Sequence, residues 1–303
     1  MLYQLLEKHN YHIIGLGRIG ICTNQDKFPI KTINIYDAQE VSSLIRFFQP
    51  DEVYHLAAFH HSSEEIVCEA GDLWQQSYPV NTQSLLNFLE AIRFFSPHTR
   101  LFYAGSSHIF GNPPFEPQDE TTPINPVTIY GITKAMGLFL SRFYREKFGL
   151  FVAVGILYNH ESIYRNEKYL SAKIIKSAIQ ISKSKQDKLI IGNLNAIADW
   201  GYATDYVMAM MQILALSNPD DFIIATGEKH TVQEFINIVF QELGLDWKDY
   251  VEERQDILTR QMPNLIGNAG KLREQTGWSP SVTFHEMVRN LVHEALEKHE
   301  ANG

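Results

Sequence analysis

Short apolar runs of strand character alternate with longer amphipathic runs through the first half of the chain, and that alternation admits few folds. Tyr11–Leu16, Lys31–Tyr36, Glu52–Ala58, Arg100–Gly105 and Phe151–Leu157 read as strands. Between them fall Gln39–Phe48, stopped by Pro50, then Asn81–Phe95 with Leu85, Leu86, Leu89 and Ile92 at helical spacing, and Ile129–Phe148. Leu2–Lys8 precedes them as a helical segment with Leu2, Leu5 and Leu6 on one face. Glu52–Ala58 is apolar enough to be covered on both sides, as the strands of a parallel sheet are. The alternation predicts an α/β fold built on a doubly wound, Rossmann-like parallel sheet. After about residue 160 the texture changes to helix Ala172–Ser182, strands Lys188–Ile191 and Asp221–Ala225, and helices Val232–Leu243 and Phe284–Lys298. We therefore expect the sheet domain over residues 1–160 and, over 161–303, mainly a smaller α+β lobe with some segments returning to the sheet. Such a lobe packs over the strand ends, where open α/β sheets bind ligands.

Composition narrows the function classes. A net charge of −9 with no Lys/Arg-rich run argues against a nucleic-acid surface, while leaving room for a local phosphate pocket. Cys22 and Cys68 give no disulfide framework and fit a reducing compartment. No stretch of 18 apolar residues occurs and the N-terminus lacks signal-peptide character, so the expectation is a cytoplasmic protein with no membrane partner. His60 and His61 are adjacent, which rarely suits two ligands of one ion, and no Cys or Glu cluster joins them, so no metal is expected.

One glycine motif misleads. Gly15-Leu16-Gly17-Arg18-Ile19-Gly20 fits G-x-G-x-x-G after a strand. A dinucleotide fingerprint needs a helix opening at its last glycine, so that amide dipoles face the pyrophosphate. Ile21–Pro29 has no apolar stripe, and the amphipathic helix lies before Gly15. Tyr11–Leu16 then reads as a second strand, and the sheet is expected to lack its first strand and glycine-rich loop.

The chemistry is concentrated in Tyr130 and Lys134, with Ser106 and Ser107 lying 24 and 23 residues upstream of the tyrosine. Tyr and Lys four apart share one helix face, where an ammonium can stabilise a phenolate and lower its pKa. A serine hydroxyl from a strand end then holds a substrate oxygen against the phenol. That is a proton relay for moving a hydride onto or off a carbinol carbon.

With these residues placed, the chain from residue 2 to about 295 resembles the extended short-chain dehydrogenase/reductases that modify nucleotide sugars. Within them it is most similar to the GDP-mannose 4,6-dehydratases. The segments that carry the likeness are Gln49–Ala58, Leu89–Phe94, Gly155–Ser162, Gly192–Ala196, Asp199–Gly201, Asp205–Val207 and Asp221–Glu228. Pro263–Gly267 and Thr276–Trp278 also resemble the GDP-4-keto-6-deoxy-mannose reductases.

The resemblance implies a dinucleotide-binding sheet domain, a substrate lobe, and a GDP-hexose as the nucleotide-sugar substrate. It implies Tyr130 as base on the C4 hydroxyl, Lys134 tuning it and holding the nicotinamide ribose, and Ser106 in place of a catalytic Thr. Arg18 matches an arginine that pairs with an adenosine 2′-phosphate, which favours NADP over NAD. Asp37 matches an adenine contact, and Leu56, Ala57 and Ala58 lie where backbone approaches the cofactor. His61, Ser107, Asn159 and Arg260 fall on the substrate side, and Arg165 or Lys173 toward the diphosphate. A homodimer through the Asn81–Phe95 and Ile129–Phe148 helices is also implied. Two departures weigh against simple dehydration: His108 stands where the family has Glu, and Ala198 where it has Arg. They raise a C4 reductase or epimerase as the alternative, and the missing glycine-rich loop raises another, a non-catalytic nucleotide-sugar binding subunit. Glu161 is expected at a loop or rim, Asp199 and Asp205 as anchors, and Trp200 in packing.

Overall fold

The computed structural model describes residues 1–17, 30–60, 69–258 and 263–301. The chain begins with α1 (Leu2–Lys8), β1 (Gly15–Gly17), β2 (Ile30–Thr32), α2 (Ala38–Phe48) and β3 (Glu52–His55). It continues through α3 (Ala70–Tyr78), α4 (Ser84–Phe95), β4 (Arg100–Ala104), α5 (Ile129–Phe148), β5 (Val152–Leu157) and β6 (Asn159–Glu161). Then come α6 (Leu170–Ser182), β7 (Leu189–Ile191), β8 (Ile197–Ala198), β9 (Trp200–Tyr202), α7 (Ala203–Leu214) and β10 (Asp221–Ile224). The last elements are β11 (His230–Thr231), α8 (Val232–Glu242), β12 (Val251–Glu253), α9 (Gly270–Thr276) and α10 (Phe284–Ala301).

Four strands in the order β10-β5-β4-β3, all parallel, form the central sheet. Strand alternation sends its side chains to two cores. Leu101 and Tyr103 of β4, Val154 and Ile156 of β5 and Ile223 of β10 pack against α2, α4 and α5. Phe102, Ala104, Ala153, Phe222 and Ile224 face α7 and α9 on the other side. The sheet is doubly wound, as the alternation predicted. One difference stands out: β1 and β2 make a separate parallel pair, and among the described residues no ladder joins them to β3. Gly15 and Gly17 lie inside β1, paired with Ile30 and Thr32, so they belong to a strand and not to a phosphate loop.

A third core, formed by α6, α8, α10, β7 and Trp200, makes up the other lobe. β10, α7 and α9 return from that half of the chain to the sheet. Buried anchors join the two parts. Asp199 accepts hydrogen bonds from Thr226 N and Oγ1, Gly227 N and Gly267 N, and Asp205 from Ser281 N and Oγ. Asp221, at the start of β10, takes Arg142 at 2.6 Å and Arg145 at 3.0 Å, which fixes α5 across the sheet.

Candidate active site

The C-terminal ends of β3 and β4 and the N-terminus of α5 bring the candidate residues together. β4 runs into Gly105, and the chain then turns through a 3-10 segment, Ser107–Phe110, whose start is capped by Ser106 accepting from His108 N at 3.3 Å. Helix α5 opens at Thr128, whose hydroxyl accepts from Gly131 N at 3.0 Å, a standard N-cap. This cap places Tyr130 in the first turn and Lys134 one turn on. Gly131 is needed for the approach: a Cβ there would lie 2.6 Å from His108 O. A glycine at this point lets the helix start press on the turn that carries Ser106 and His108.

Tyr130 is the hub. Its ring centroid lies 5.4 Å from that of His108 and 4.6 Å from that of His60, both edge-on. Burial pushes the phenol up to about 12, while hydrogen bonding from Ser106 and the charge of Arg165 pull it down. Lys134 is fully enclosed, and burial brings its ammonium down to about 7. Its Nζ donates to Ala104 O at 2.7 Å and lies 5.9 Å from the Tyr130 ring centroid. This corrects the sequence reading, in which the ammonium lowers the phenol. Here both groups are desolvated, the amine is turned to a backbone carbonyl, and Ser106 supplies the larger stabilisation of the phenolate.

The loop after β3 is tethered by Asn81, which follows α3 in a π-helical turn, Pro79–Gln83. Asn81 Oδ1 accepts from Phe59 N at 2.9 Å, and Nδ2 donates to Phe59 O at 3.1 Å and Thr133 Oγ1 at 2.9 Å. Tyr103 Oη donates to Asn81 O at 3.1 Å. Leu56 and Ala58 are exposed beside this tether and Ala57 is half-buried, so small or apolar side chains line the edge next to Tyr130 and Lys134. That lining and donor set fit the nicotinamide end of a dinucleotide. Asp37, by contrast, is an exposed N-cap of α2, its carboxylate accepting from Gln39 N at 2.8 Å and Glu40 N at 3.2 Å.

Ser107 is buried beside Ser106, and Asn159 opens β6, half-buried. Arg165 differs from expectation. It stacks on Tyr169 at 4.4 Å, donates to His160 O at 2.8 Å and approaches Glu161 Oε2 to 3.2 Å, so its charge is met from within the protein. Glu161 is accordingly buried, not at a rim, and also accepts from Ser171 Oγ. Lys173 lies in the first turn of α6. Arg18, His61 and Arg260 lie outside the described residues. Among the described residues no three His, Cys, Asp or Glu side chains cluster to hold a metal, and no helix is long and apolar enough to cross a membrane. The sequence reading weighed His60 only as a metal ligand and set it aside, and gave Asn81 and Tyr169 no role in the site. An Asn on the apolar face of a predicted helix was the one visible signal.

A doubly wound parallel sheet with a serine, a tyrosine and a lysine gathered at its strand ends defines the epimerase/dehydratase class of short-chain dehydrogenase/reductases. The profile of the GDP-mannose 4,6 dehydratase family matches residues 14–291. GDP-mannose 4,6 dehydratase 2 of Arabidopsis thaliana is 41% identical over 95% of this chain and 78% of its own length. The chain belongs to the GDP-mannose 4,6-dehydratase family. Among solved structures, dTDP-glucose 4,6-dehydratase from Bacillus anthracis in complex with NAD superposes with a TM-score of 0.82 at 20% identity, over 99% of this chain and 92% of that one. RMD from Pseudomonas aeruginosa, complexed with NADPH, gives 0.80 at 15% identity, over 98% and 96%. At such identities these two structures bear on the fold alone.

Proposed function

We propose that this chain is a nucleotide-sugar dehydratase acting on a GDP-hexose of the mannose type, converting it to the 4-keto-6-deoxy sugar with loss of water. The single observation that carries this reading is the contact of two acid/base groups, His108 and Tyr130, at 5.4 Å on the turn and helix that also bring in Ser106. Ser106 holds the C4 hydroxyl and Tyr130 takes its proton. When bound, a nicotinamide dinucleotide, NADP in our reading, supplies the reversible hydride acceptor. Lys134 and the Leu56–Ala58 edge hold its nicotinamide end, with Arg18 and Asp37 at the adenosine end. A ketone at C4 acidifies C5, so an imidazole can remove that proton, and His108 then passes it to the C6 oxygen as water departs.

On the substrate side we assign Ser107, Asn159, His61 and Arg260. Because Arg165 is engaged by Glu161, Lys173 is the α6 cation we place at the diphosphate, with Arg165 acting through Tyr169. The division into a dinucleotide-binding part, residues 1–160, and a substrate lobe, residues 161–303, belongs to the same reading. So does a homodimer formed through α4 and α5.

His108 in the glutamate's place favours a second reading, a C4 reductase needing no C5 base. Incubation with GDP-mannose and catalytic NADP separates the two. Dehydration yields a product lighter by one water with no added reductant. A reductase leaves GDP-mannose untouched and consumes NADPH with the 4-keto-6-deoxy sugar. Calorimetric titration showing no binding of NADP or GDP-mannose would sink both.

A further inference from the structure

His60 has no part in the mechanism above, yet it lies against both of its acid/base groups. Its ring is edge-on to Tyr130 at 4.6 Å and to His108 at 5.6 Å, each at 87°. It stacks on Tyr169 at 5.6 Å and 24°, and Tyr169 in turn carries Arg165. Among the described residues, the titratable groups whose rings face it are Tyr130, His108 and Tyr169, with Arg165 behind Tyr169. The position is held from the neighbouring residue, since Phe59 is fixed at both its N–H and its C=O by Asn81. Three elements therefore hold one imidazole beside the phenol.

Proton accounting gives this imidazole a task. Two protons leave the sugar, one from the C4 hydroxyl to Tyr130 and one from C5 to His108. Two must be returned, one to the departing C6 oxygen and one to C5. His108 serves the C6 oxygen, which leaves the proton on Tyr130 to reach carbon. Neutral imidazole accepts at one ring nitrogen and donates from the other, which suits a relay.

We propose that His60 is a third acid/base residue, carrying the proton that Tyr130 collects from the C4 hydroxyl to C5. The phenol O–H bond breaks as an N–H bond forms on His60. The opposite N–H bond breaks as the C5–H bond forms, using the electron pair left at C5 when C6 is reduced. C4 ends oxidised and C6 reduced, the nicotinamide is unchanged overall, and every proton is placed. This inference rests on the dehydratase reading.

The test compares the whole protein with His60→Gln and His60→Phe, the second of which keeps a ring on Tyr169. With GDP-mannose, acid-quenched and read by mass, both variants turn over about 100-fold more slowly at similar KM. They accumulate a sugar nucleotide two hydrogens lighter than the product, the C5–C6 alkene that precedes reduction of C6, because hydride return to C6 is coupled to protonation of C5. Wild-type turnover in either variant, or rescue by Phe alone, overturns the proposal and makes His60 a packing residue. Slow turnover without the lighter species also overturns it. In the protein alone, NMR titration of labelled histidines in His60→Gln shows the His108 midpoint displaced by roughly one unit, as coupled sites require; an unmoved midpoint overturns the proposal. If the wild type forms no 4-keto-6-deoxy product, the dehydratase reading fails, and the titration still decides whether the imidazoles are coupled.

Discussion

Lys134 shows how far a single residue's surroundings change its chemistry. Its folded pKa, about 7, lies below the ordinary 10.5 because burial penalises the charged form. Below about 7 both folded and unfolded chains hold the proton, and the full desolvation cost falls on the folded state. As pH rises from about 7 toward 10.5 the folded chain has released its proton and the unfolded chain has not, so this cost is progressively relieved. Stability of the ligand-free protein is therefore expected to gain on the order of 3 kcal/mol from Lys134 between about pH 6 and about pH 10. Lys134→Met lacks that gain, while losing the bond to Ala104 O equally at every pH. Urea unfolding of both proteins across this range checks it; parallel pH profiles would refute the assignment. The same burial explains why Y-x-x-x-K spacing alone misjudged the pair. Spacing puts both groups on one face, but only the tertiary fold decides which acceptor the amine meets.

At the scale of elements, the legible parts were those whose signals are local. Helix α5 runs over Ile129–Phe148 as read, because Thr128 caps its start and Gly149, at φ 66°, closes its end. The strands of the central sheet were visible as apolar runs. Helix α3 was missed because Ala70–Tyr78 buries little beyond Ser77 and shows no apolar stripe. Helix α7 was missed for the opposite reason: it is apolar on most sides, with Tyr206, Val207, Ala209, Met210, Ile213 and Leu214 all buried, so no 3.6-residue contrast marks it. Ser106, Tyr130 and Lys134 could be placed from sequence; His60 could not, since its contacts come from three separate elements. Two predictions belong here. Gly131→Ala forces a Cβ to 2.6 Å from the backbone oxygen of His108, so α5 must withdraw from the 3-10 turn. A loss of about 1–3 kcal/mol and a kcat lowered more than binding are expected from chemical denaturation and kinetics. Asp221→Asn leaves Arg142 and Arg145 without their carboxylate and is expected to cost roughly 2–4 kcal/mol, less than a fully buried pair because Arg142 reaches solvent. Unchanged denaturation midpoints would show that α5 is held by packing alone.

For the whole molecule, the outer face of α5 poses the remaining physical question. Ile132, Phe139 and Phe143 are 36%, 53% and 52% exposed, and at spacings of seven and eleven residues they share one stripe. Phe94, 62% exposed at the end of α4, extends it, with Arg93 lying over both Phe94 and Phe148. Contiguous aromatic surface of this kind marks an interface more often than bare solvent-facing helix. A second copy meeting it through the same face would form a symmetric four-helix contact, and stable assemblies of that sort bury about 1,200–2,000 Å² or more. Phe139→Glu places a carboxylate at the centre of the stripe, where a two-fold partner presents the same charge. The wild type is expected to sediment as a dimer at micromolar concentration and the variant as a monomer with a lower Tm. Because Tyr130 opens the same helix, the monomer should also lose activity on heating before the dimer does. A wild type that sediments as a monomer would instead leave the stripe without a role in assembly.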